Sequence, residues 1–413
     1  MNELPTVRRP GIAELSAAVV GRQSSLFSSD MKSHGAALRD AISDRRVLVI
    51  GGAGSIGSHT IRTLLRFFPA AVHVVDVNEN GLTDLVRDLR AAPGGFTLRD
   101  FRTIPLDFGS ALMERVLDEQ ASYDLVLNFA AVKHVRSEKD LFSLLHMLDT
   151  NVVKPARLLR RLGERGFTGR YFSVSTDKAA NPVNAMGASK RIMEMVGFSP
   201  SILPPGATAS SARFANVAFS NGSVLASFVH RLDEGQALAA PRDTKRFFIT
   251  LQESGELCTL AAALAPSSSL LIPKLGEADL LEISTVAEIV VRLYGYEPRF
   301  YDDEDSAKAA VSRERATGGH PVLLTPLDTS GEKAYEEFVG EDETVLGSRF
   351  DALAVIRPEN RSDDALQRFV DDIEALVAES EREATKEQVL RRMREIVPLF
   401  EHAETGRTLD SRL

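Results

Sequence analysis

Between residues 45 and 205, short apolar runs alternate with stretches in which apolar residues recur at helical spacing. The apolar runs lie at residues 46–50, 72–75, 103–106, 125–129 and 171–174. After the first run, Ile61, Leu64 and Leu65 follow the spacing of one helical face. Strands that alternate with helices in this way predict a parallel sheet with right-handed crossovers. We therefore predict an α/β fold, with a Rossmann-like doubly wound parallel sheet at residues 45–205.

The pattern changes on both sides of this region. Residues 1–44 are polar with short apolar groups, which predicts a loose helical lead-in. After about residue 205 the pattern is less regular and richer in Pro and Gly, so we predict a smaller substrate-binding lobe at residues 206–345. A helical C-terminal extension is predicted for residues 346–413.

Two helices are predicted within this extension. The first has an apolar face made of Leu366, Phe369, Val370, Ile373, Leu376 and Val377. The second begins after Thr385, whose hydroxyl can cap the helix while Gln388 reaches back to it. We expect both helices to pack on their own domain, and a contact in an oligomer is the alternative.

Composition and charge exclude several classes of protein. The 413 residues carry a formal net charge of -9, which argues against a dedicated binder of nucleic acid or anionic membranes. No apolar run is long enough for a membrane-spanning helix, and residues 1–30 lack the pattern of a secretory signal. The single cysteine, Cys258, cannot form an internal disulfide, and no zinc-binding spacing is present. We expect a cytoplasmic protein without a bound metal.

A cluster of glycines separates the first predicted strand from the first predicted helix of the sheet. Gly51, Gly54 and Gly57 would allow a tight turn and a close approach of the backbone to a pyrophosphate. Together with Ser55 and Ile56, they would place that pyrophosphate at the helix N-terminus. The context of strand, turn and helix predicts a dinucleotide-binding site.

Residues at the ends of the next strands extend this site. Asp76 ends the second strand, where a carboxylate can accept hydrogen bonds from ribose hydroxyls and repels a 2′-phosphate. Asp107 follows the third strand, where its carboxylate could meet the adenine amino group. Asn128, Ala130 and Ala131 follow the fourth strand, where small residues let the cofactor lie against the backbone. The sequence therefore favours NAD over NADP.

Chemically reactive side chains follow the fifth strand. Thr176, Asp177 and Lys178 are consecutive, and Met186 and Lys190 come shortly after them. Ligands of doubly wound sheets bind at the carboxyl ends of the strands, which favours a catalytic role for this group. A helix-capping Thr-Asp pair beside a solvated lysine explains the spacing equally well, and Lys190 by itself would be an ordinary surface lysine.

Two segments here resemble the extended short-chain dehydrogenase/reductase group that contains the capsular-polysaccharide-type nucleotide-sugar 4,6-dehydratases. They are residues 175–182, Ser-Thr-Asp-Lys-Ala-Ala-Asn-Pro, and residues 186–191, Met-Gly-Ala-Ser-Lys-Arg. Shorter similarities to the group lie at residues 21–22, 133–135, 151–152, 246–248 and 331–337. The resemblance covers roughly residues 15–340.

This resemblance implies an enzyme that oxidises C4 of a sugar with NAD, removes the C5 proton, expels the 6-hydroxyl and returns hydride to C6. Thr176 would hydrogen-bond the C4 oxygen, and Asp177 would be the acid. Lys178 would be the base, with its pKa lowered by neighbouring Lys190, which would also hold the nicotinamide ribose. Met186 stands where the wider superfamily has a tyrosine, and a thioether cannot transfer a proton.

The resemblance also implies a set of substrate-binding residues, namely Lys133, His134, Met186, Asn216, Arg246 and Glu332. Residues 329–333, Thr-Ser-Gly-Glu-Lys, depart from the family's Arg-Pro-Gly-Glu-Lys, so a diphosphate-binding arginine is missing there. Residues 216–223 depart from the family's pattern as well. These departures leave the identity of the nucleotide open.

The leading hypothesis is a UDP-N-acetylglucosamine 4,6-dehydratase for surface glycan biosynthesis, assembled as a homo-oligomer. A nucleotide-sugar epimerase is the second hypothesis, although the Asp-Lys pair favours elimination because epimerisation needs no acid for a 6-hydroxyl. A non-catalytic NAD-binding regulator is the third. Met186 favours the regulator, and residues 176–178 count against it.

Overall fold

The structure is a computed structural model that describes residues 8–93, 98–133, 139–326, 337–358, 363–378 and 384–401. The strands are β1 Arg46–Ile50, β2 Ala71–Val75, β3 Asp100–Ile104, β4 Leu125–Asn128, β5 Arg170–Val174, β6 Thr208–Ala212, β7 Asn216–Val217, β8 Leu238–Pro241, β9 Lys245–Ile249, β10 Ser269–Pro273, β11 Leu280–Glu282, β12 Glu297–Tyr301, β13 Gly319–Thr325, β14 Glu343–Leu346 and β15 Leu353–Pro358. The helices are α1 Ile12–Val20, α2 Ser28–Ser33, α3 Gly35–Ile42, α4 Ser55–Leu65, α5 Glu79–Ala91, α6 Ala111–Glu119, α7 Leu141–Leu148, α8 Lys154–Glu164, α9 Ala185–Phe198, α10 Val224–Asp233, α11 Leu251–Leu264, α12 Ile283–Leu293, α13 Glu304–Ala316, α14 Asp363–Ala378 and α15 Lys386–Ile396. Short π and 3-10 segments lie at Asp149–Val153, Asp177–Ala179 and Glu277–Asp279.

Within these residues, nine strands form one sheet in the order β3-β2-β1-β4-β5-β6-β10-β15-β14. The pairs from β3 to β10 are parallel, and β15 and β14 return antiparallel. Side chains of β1 alternate between the two faces: Val47 and Val49 join one core cluster, and Leu48 and Ile50 join the other. The predicted doubly wound α/β fold is confirmed, with helices on both faces.

The large sheet extends beyond the predicted limit at residue 205. Strands β6, β10, β14 and β15 belong to it, although they lie in the regions predicted as lobe and helical extension. Strand β6 gives no signal in the sequence because it consists of Thr, Ala and Ser and contains no apolar run, whereas hydrogen bonding continues from β5 to β6. The segment at residues 353–358 is a buried strand rather than part of a helical extension.

Two smaller sheets lie outside the large one. They have the orders β11-β9-β7 and β12-β13-β8. Helices α10 and α12 pack on this part, and a separate apolar cluster holds it together with Leu15 and Val19 of the lead-in. These residues form a lobe beside the large sheet.

Both terminal regions are fastened to the body of the molecule. Asp30 of α2 is 1% exposed and accepts hydrogen bonds from the backbone N–H groups of Asp351 and Ala352, at 2.6 and 2.9 Å. At the other end, Thr385 and Gln388 form the predicted capping box of α15. Helix α14 packs on α7 and α15 packs on α9, so these helices cover their own domain.

One residue of the predicted apolar face of α14 differs from the expectation. Val377 is 44% exposed, whereas Leu366, Phe369, Val370 and Ile373 are buried. It lies in the last turn of the helix. None of the helices in the described residues combines the length and the apolar character needed to cross a membrane.

Candidate functional site

The turn after β1 is shaped by glycines whose side-chain space is occupied by backbone. Gly51 has a φ of 73°, and a Cβ on it would lie 2.5 Å from the nitrogen of Ala130. A Cβ on Gly57 would lie 2.6 Å from the oxygen of Gly51. Positions Gly51 and Gly57 therefore need glycine for the turn to close, whether or not a ligand is present.

Gly54 differs from Gly51 and Gly57, because the fold leaves room for a Cβ at this position. A Cβ there would meet the oxygen of Gly51 at 3.4 Å, which is ordinary contact. Gly54 precedes α4, and no side chain caps the first N–H groups of that helix. With Ser55, Ile56 and Gly57, it lines a cavity. An uncapped helix N-terminus beside a small residue is suited to a phosphate group.

Asp76 directly follows β2 and lies beside the glycine turn, which we define as residues 51–57. Its two carboxylate oxygens accept hydrogen bonds from the backbone N–H groups of Ala53 and Asn78, each at 2.9 Å. These bonds fix the carboxylate in orientation while it still lines the cavity. The remaining lone pairs can receive ribose hydroxyls, as the sequence predicts.

Asp107 also lines the cavity, but it already has a cationic partner. Lys154 donates to it at 2.7 Å and Gly109 at 2.8 Å. Burial by itself would raise the pKa of Asp107, but these two hydrogen bonds lower it. The carboxylate is therefore charged and held in place, which leaves a contact with an adenine amino group as a proposal.

Asn128 acts behind the cavity wall and does not line it. Its Oδ1 accepts a hydrogen bond from the nitrogen of Ala130 at 3.0 Å, and its side chain is 1% exposed. Ala130 and Ala131 line the cavity. Asn128 therefore shapes the loop that the predicted cofactor would contact, whereas the sequence placed it in the contact itself.

The catalytic turn, defined here as residues 175–181, follows β5. Thr176 and Lys178 line the cavity, whereas Asp177 is 3% exposed and lies behind them. Asp177 Oδ1 accepts from Thr176 Oγ1 at 2.7 Å and from Lys178 Nζ at 3.1 Å. The hydroxyl and the amine thus stand between the cavity and the carboxylate.

Lys190 lies in α9, and it is 4% exposed. Its ammonium donates to the oxygen of Val174 at 2.6 Å, at the end of β5. Burial lowers the pKa of Lys190 to about 7, against the opposing effect of Glu194. Burial thus acts strongly on the pKa of Lys190, whereas a lowered pKa at Lys178 stays a prediction.

Met186 lies in the cavity wall beside the catalytic turn, and Asn151 lies behind that wall. Met186 is 3% exposed and lines the cavity. Asn151, in the π-helical segment, bonds to both the nitrogen and the oxygen of Val132, and donates to Ser189 at 2.9 Å. It therefore ties the loop after β4 to α9. In the sequence, residues 151–152 stand out only by their similarity to the family, which predicts no role for Asn151.

Four of the six predicted substrate-binding residues lie in the described part of the chain, and one of them, Met186, is part of the cavity wall described above. Lys133, Asn216 and Arg246 all line the cavity. Lys133 donates to the oxygen of Asn221 at 2.8 Å, and Ser55 accepts from the nitrogen of the same residue at 2.9 Å. His134 and Glu332 lie outside the described residues.

All these cavity-lining residues face one continuous space. Its volume is about 1260 Å³, and it runs from the glycine turn past the catalytic turn to the lobe. Arg231 of α10 also lines it and was not anticipated by the sequence, since an isolated arginine on a helix carries no signal. Clefts for single small ligands span about 300–1,000 Å³, so this space is large enough for two ligands.

Known proteins resemble this chain in sequence and in fold. Residues 47–358 match the model of a family described as polysaccharide biosynthesis protein. The uncharacterized membrane protein MJ1061 of Methanocaldococcus jannaschii is 29% identical over 76% of this chain and 86% of its own length. The probable polysaccharide biosynthesis protein EpsC of Bacillus subtilis is 26% identical over 82% of this chain. The chain spans about half of EpsC, which is covered over 52% of its length.

Solved structures are similar in fold. Pen from Bacillus thuringiensis has a TM-score of 0.61 at 22% identity, covering 81% of this chain and 98% of its own. The UDP-Glc/GlcNAc 4-epimerase from Campylobacter jejuni has a TM-score of 0.55 at 18% identity, covering 80% and 99%. WbmF from Bordetella bronchiseptica, in complex with NAD⁺ and UDP, has a TM-score of 0.50 at 17% identity, covering 66% and 87%.

Proposed function

We propose that this chain, which belongs to the polysaccharide biosynthesis protein family, is an NAD-dependent nucleotide-sugar 4,6-dehydratase. The substrate we propose is UDP-N-acetylglucosamine or a close relative, and the product is a 4-keto-6-deoxy sugar nucleotide. The observation that carries this proposal is the catalytic turn, where a hydroxyl, a carboxylate and an amine share hydrogen bonds at the wall of a cavity with room for two ligands.

The residues at the carboxyl end of β1 fit a dinucleotide. Gly54 leaves space beside the uncapped N-terminus of α4 for the pyrophosphate, and Asp76 presents a fixed carboxylate for a ribose. Ala130 and Ala131 would let the nicotinamide half lie along the loop after β4. Bound NAD would accept hydride from C4 of the sugar and return it to C6.

The first proton transfer involves Thr176 and Asp177. In this proposal Thr176 Oγ1 accepts the proton of the sugar 4-hydroxyl as C4 is oxidised, and passes its own proton to Asp177 Oδ1 at 2.7 Å. The sugar becomes a 4-ketone, and Asp177 becomes a carboxylic acid. This step gives Asp177 the proton that it needs later as an acid.

The second and third transfers complete the loss of water. The 4-ketone acidifies the C5–H bond, and Lys178 in its amine form removes that proton. Asp177 returns its proton through Thr176 to the 6-hydroxyl, which departs as water and leaves a double bond between C5 and C6. When C6 receives hydride, Lys178 returns its proton to C5, and all groups are restored.

The activity test is an incubation of the protein with NAD and UDP-N-acetylglucosamine, followed by mass spectrometry and NMR of the sugar nucleotide. We expect a product that has lost one water and carries a 4-ketone and a 6-methyl group. A product of unchanged mass with inverted C4 would instead support a nucleotide-sugar epimerase, the second candidate, which the fold shared with the Campylobacter jejuni enzyme favours.

The cofactor test uses Asp76→Ala. We expect NAD to bind about 10–100-fold more weakly, because charge-assisted hydrogen bonds are worth about 1.5–3 kcal/mol each. Asp84→Ala is the matched control, since Asp84 is a mostly exposed carboxylate of α5. Calorimetry gives the affinities, and a wild-type protein that binds NADP more tightly than NAD would contradict the assignment.

A further inference from the structure

A cluster of buried charged side chains lies behind the catalytic turn. Arg213, which follows β6, donates to both oxygens of Glu194 at 2.7 and 2.6 Å, and to both oxygens of Glu343 at 2.8 and 2.6 Å. The side chains of these three residues are at most 1% exposed. Arg191 adds contacts to Glu343 and to Asp342. Two guanidinium groups thus face three carboxylates, and two of these, Glu194 and Glu343, are closed to solvent.

The cluster reaches the catalytic turn at its first residue. Ser175 Oγ donates to Glu194 Oε1 at 2.5 Å, and Ser175 directly precedes Thr176. Burial disfavours a charged Glu194, but Arg213 and Arg191 lower its pKa, so the carboxylate stays ionised and keeps its hold on Ser175. Glu194 therefore fixes the start of the turn.

The same cluster also touches the end of the catalytic turn. Glu343 accepts from the nitrogen of Gly340 at 2.7 Å, and a Cβ on Gly340 would lie 2.6 Å from the oxygen of Ala180. Asn181 donates to Glu337 at 2.9 Å and accepts from the nitrogen of Glu341 at 3.2 Å. Residues 337–343 thus lie directly against the catalytic turn. Glu343 is bonded both to Gly340, which contacts the end of the turn, and to Arg213, which leads to its start.

We propose that Glu343 is a positioning residue: through Arg213 and Glu194 it holds Ser175, and with Gly340 it holds Ala180, so that Thr176, Asp177 and Lys178 keep the geometry that proton transfer requires. Glu343 does not line the cavity and touches no reacting atom. The kinetic consequence of this inference rests on the proposed function, whereas its structural consequence does not.

The kinetic test compares Glu343→Gln with Glu341→Gln. Glutamine keeps the shape of Glu343 but removes the charge that binds Arg213, so we expect kcat to fall about 10–100-fold, as small misplacements of catalytic groups do. KM for the sugar nucleotide and the affinity for NAD should stay within about twofold of wild type, since the binding residues are intact. Glu341 is exposed, and only its backbone contacts the turn, so its variant should behave as wild type. Unchanged kcat in Glu343→Gln would overturn the proposal.

A double-mutant cycle separates positioning from a general loss of stability. Ser175→Ala removes the last hydrogen bond of the chain at a residue that also lines the cavity, and it serves also if Glu343→Gln does not fold. We expect Ser175→Ala alone to lower kcat, and the double variant to lose much less than the product of the single losses, because both changes break one connected path. If the losses of kcat in the two single variants multiply fully in the double variant, the path from Glu343 to Ser175 is contradicted. A Ser175→Ala variant with wild-type kcat would contradict it as well.

Amide hydrogen exchange gives a readout that needs no activity. In Glu343→Gln, peptides that cover residues 175–181 should exchange faster, while peptides that cover β1 and the glycine turn keep the protection of wild type. If the chain has no dehydratase activity and the turn still loses protection, the proposed function fails and the positioning role stands. Protection that stays unchanged at the turn would remove the positioning role itself.

Discussion

At the dinucleotide end of the cavity, β1, α4 and β2 shape the site with main-chain geometry, whereas at the catalytic end β5 and α9 shape it with charged side chains. Gly51 and Gly57 admit no Cβ because backbone atoms lie 2.5 and 2.6 Å from where it would be. At the other end, Glu194 and Arg213 are buried and depend on each other's charge. The first end is sensitive to added atoms, and the second is sensitive to lost charge.

The difference follows from how far apart the contributing residues lie in the sequence. The dinucleotide end has at its centre a strand, a turn and a helix that follow one another directly, although the backbone that Gly51 meets is that of Ala130. The catalytic end takes Glu194 from α9, Arg213 from the end of β6 and Glu343 from β14, and Arg213 and Glu343 are 130 residues apart. Local geometry can be read along a chain, while a buried ion pair across such a distance cannot.

The largest effect that we expect at the catalytic end is the loss of activity when Lys178 is replaced. Lys178→Met removes the proposed base, and we expect the rate of dehydration to fall by about 10²–10⁴, the usual contribution of a general base. Deuterium from heavy water should then fail to enter C5 of the substrate, as NMR would reveal. Lys308→Met, an exposed lysine of α13, is the control. Persistent exchange at C5 in the Lys178 variant would assign the base elsewhere.

A similar loss is expected when the path from the cavity to Asp177 is cut. Asp177 is buried behind Thr176, so Thr176→Val and Asp177→Asn should lower kcat by comparable factors of about 10²–10⁴. The double variant should be little worse than either one, because both changes interrupt a single proton path. Stopped-flow or steady-state rates decide this. A Thr176→Val variant with near wild-type kcat would mean that Asp177 reaches the substrate without it.

Burial of Lys190 predicts a pH dependence of stability. Its folded pKa is lowered to about 7 from 10.5, so between those values the unfolded chain binds the extra proton and stability rises with pH. The free energy of unfolding of Lys190→Met should therefore exceed that of wild type most below pH 7, and the excess should shrink toward pH 10. Each pKa unit corresponds to about 1.4 kcal/mol, so the change is on the order of several kcal/mol. Urea unfolding of the protein without NAD measures it, and a difference that does not vary with pH would argue against a buried neutral amine.

The smallest effect tests the dinucleotide end. Gly54→Ala should leave the fold intact because the new Cβ meets only Gly51 at 3.4 Å, yet it should occupy the space of the pyrophosphate. We expect NAD binding to weaken by about 10–100-fold, the equivalent of one charge-assisted hydrogen bond. Gly35→Ala, in α3 with no atom within 4 Å of its Cβ, is the control. Equal NAD affinity in the two variants, measured by calorimetry, would place the pyrophosphate elsewhere.

Much of the sheet could be predicted from the sequence. The predicted runs for β1, β2, β4 and β5 agree with the structure to within one residue at each end, because buried strands carry continuous apolar residues. Strand β3 was predicted at residues 103–106 and is found at Asp100–Ile104. It is an edge strand whose residues are only partly buried, so its pattern is weaker.

The rest of the sheet and the positions of the side chains in the site depend on contacts between residues that are distant in the sequence. Nothing in the local pattern at residues 353–358 signals that this strand pairs with β10, so the sheet was predicted to end too early. The sequence predicts that Asn128 and Asp177 contact ligands directly, whereas neither side chain lines the cavity. Residue types at the end of a strand predict that a site is present, but side-chain packing decides which of them reach it.

The position of Glu343 late in the chain has a consequence for the order in which the protein is made. A polypeptide leaves the ribosome from its N-terminus, so β1 to β5 and the glycine turn are complete long before residue 343 emerges. Until then Arg213 lacks one of its two carboxylates, and the backbone of residues 337–343 is not there to support Ala180. A chain that ends before β14 therefore lacks the contacts of Glu343 that hold Arg213 and Gly340, and with them the support of the catalytic turn.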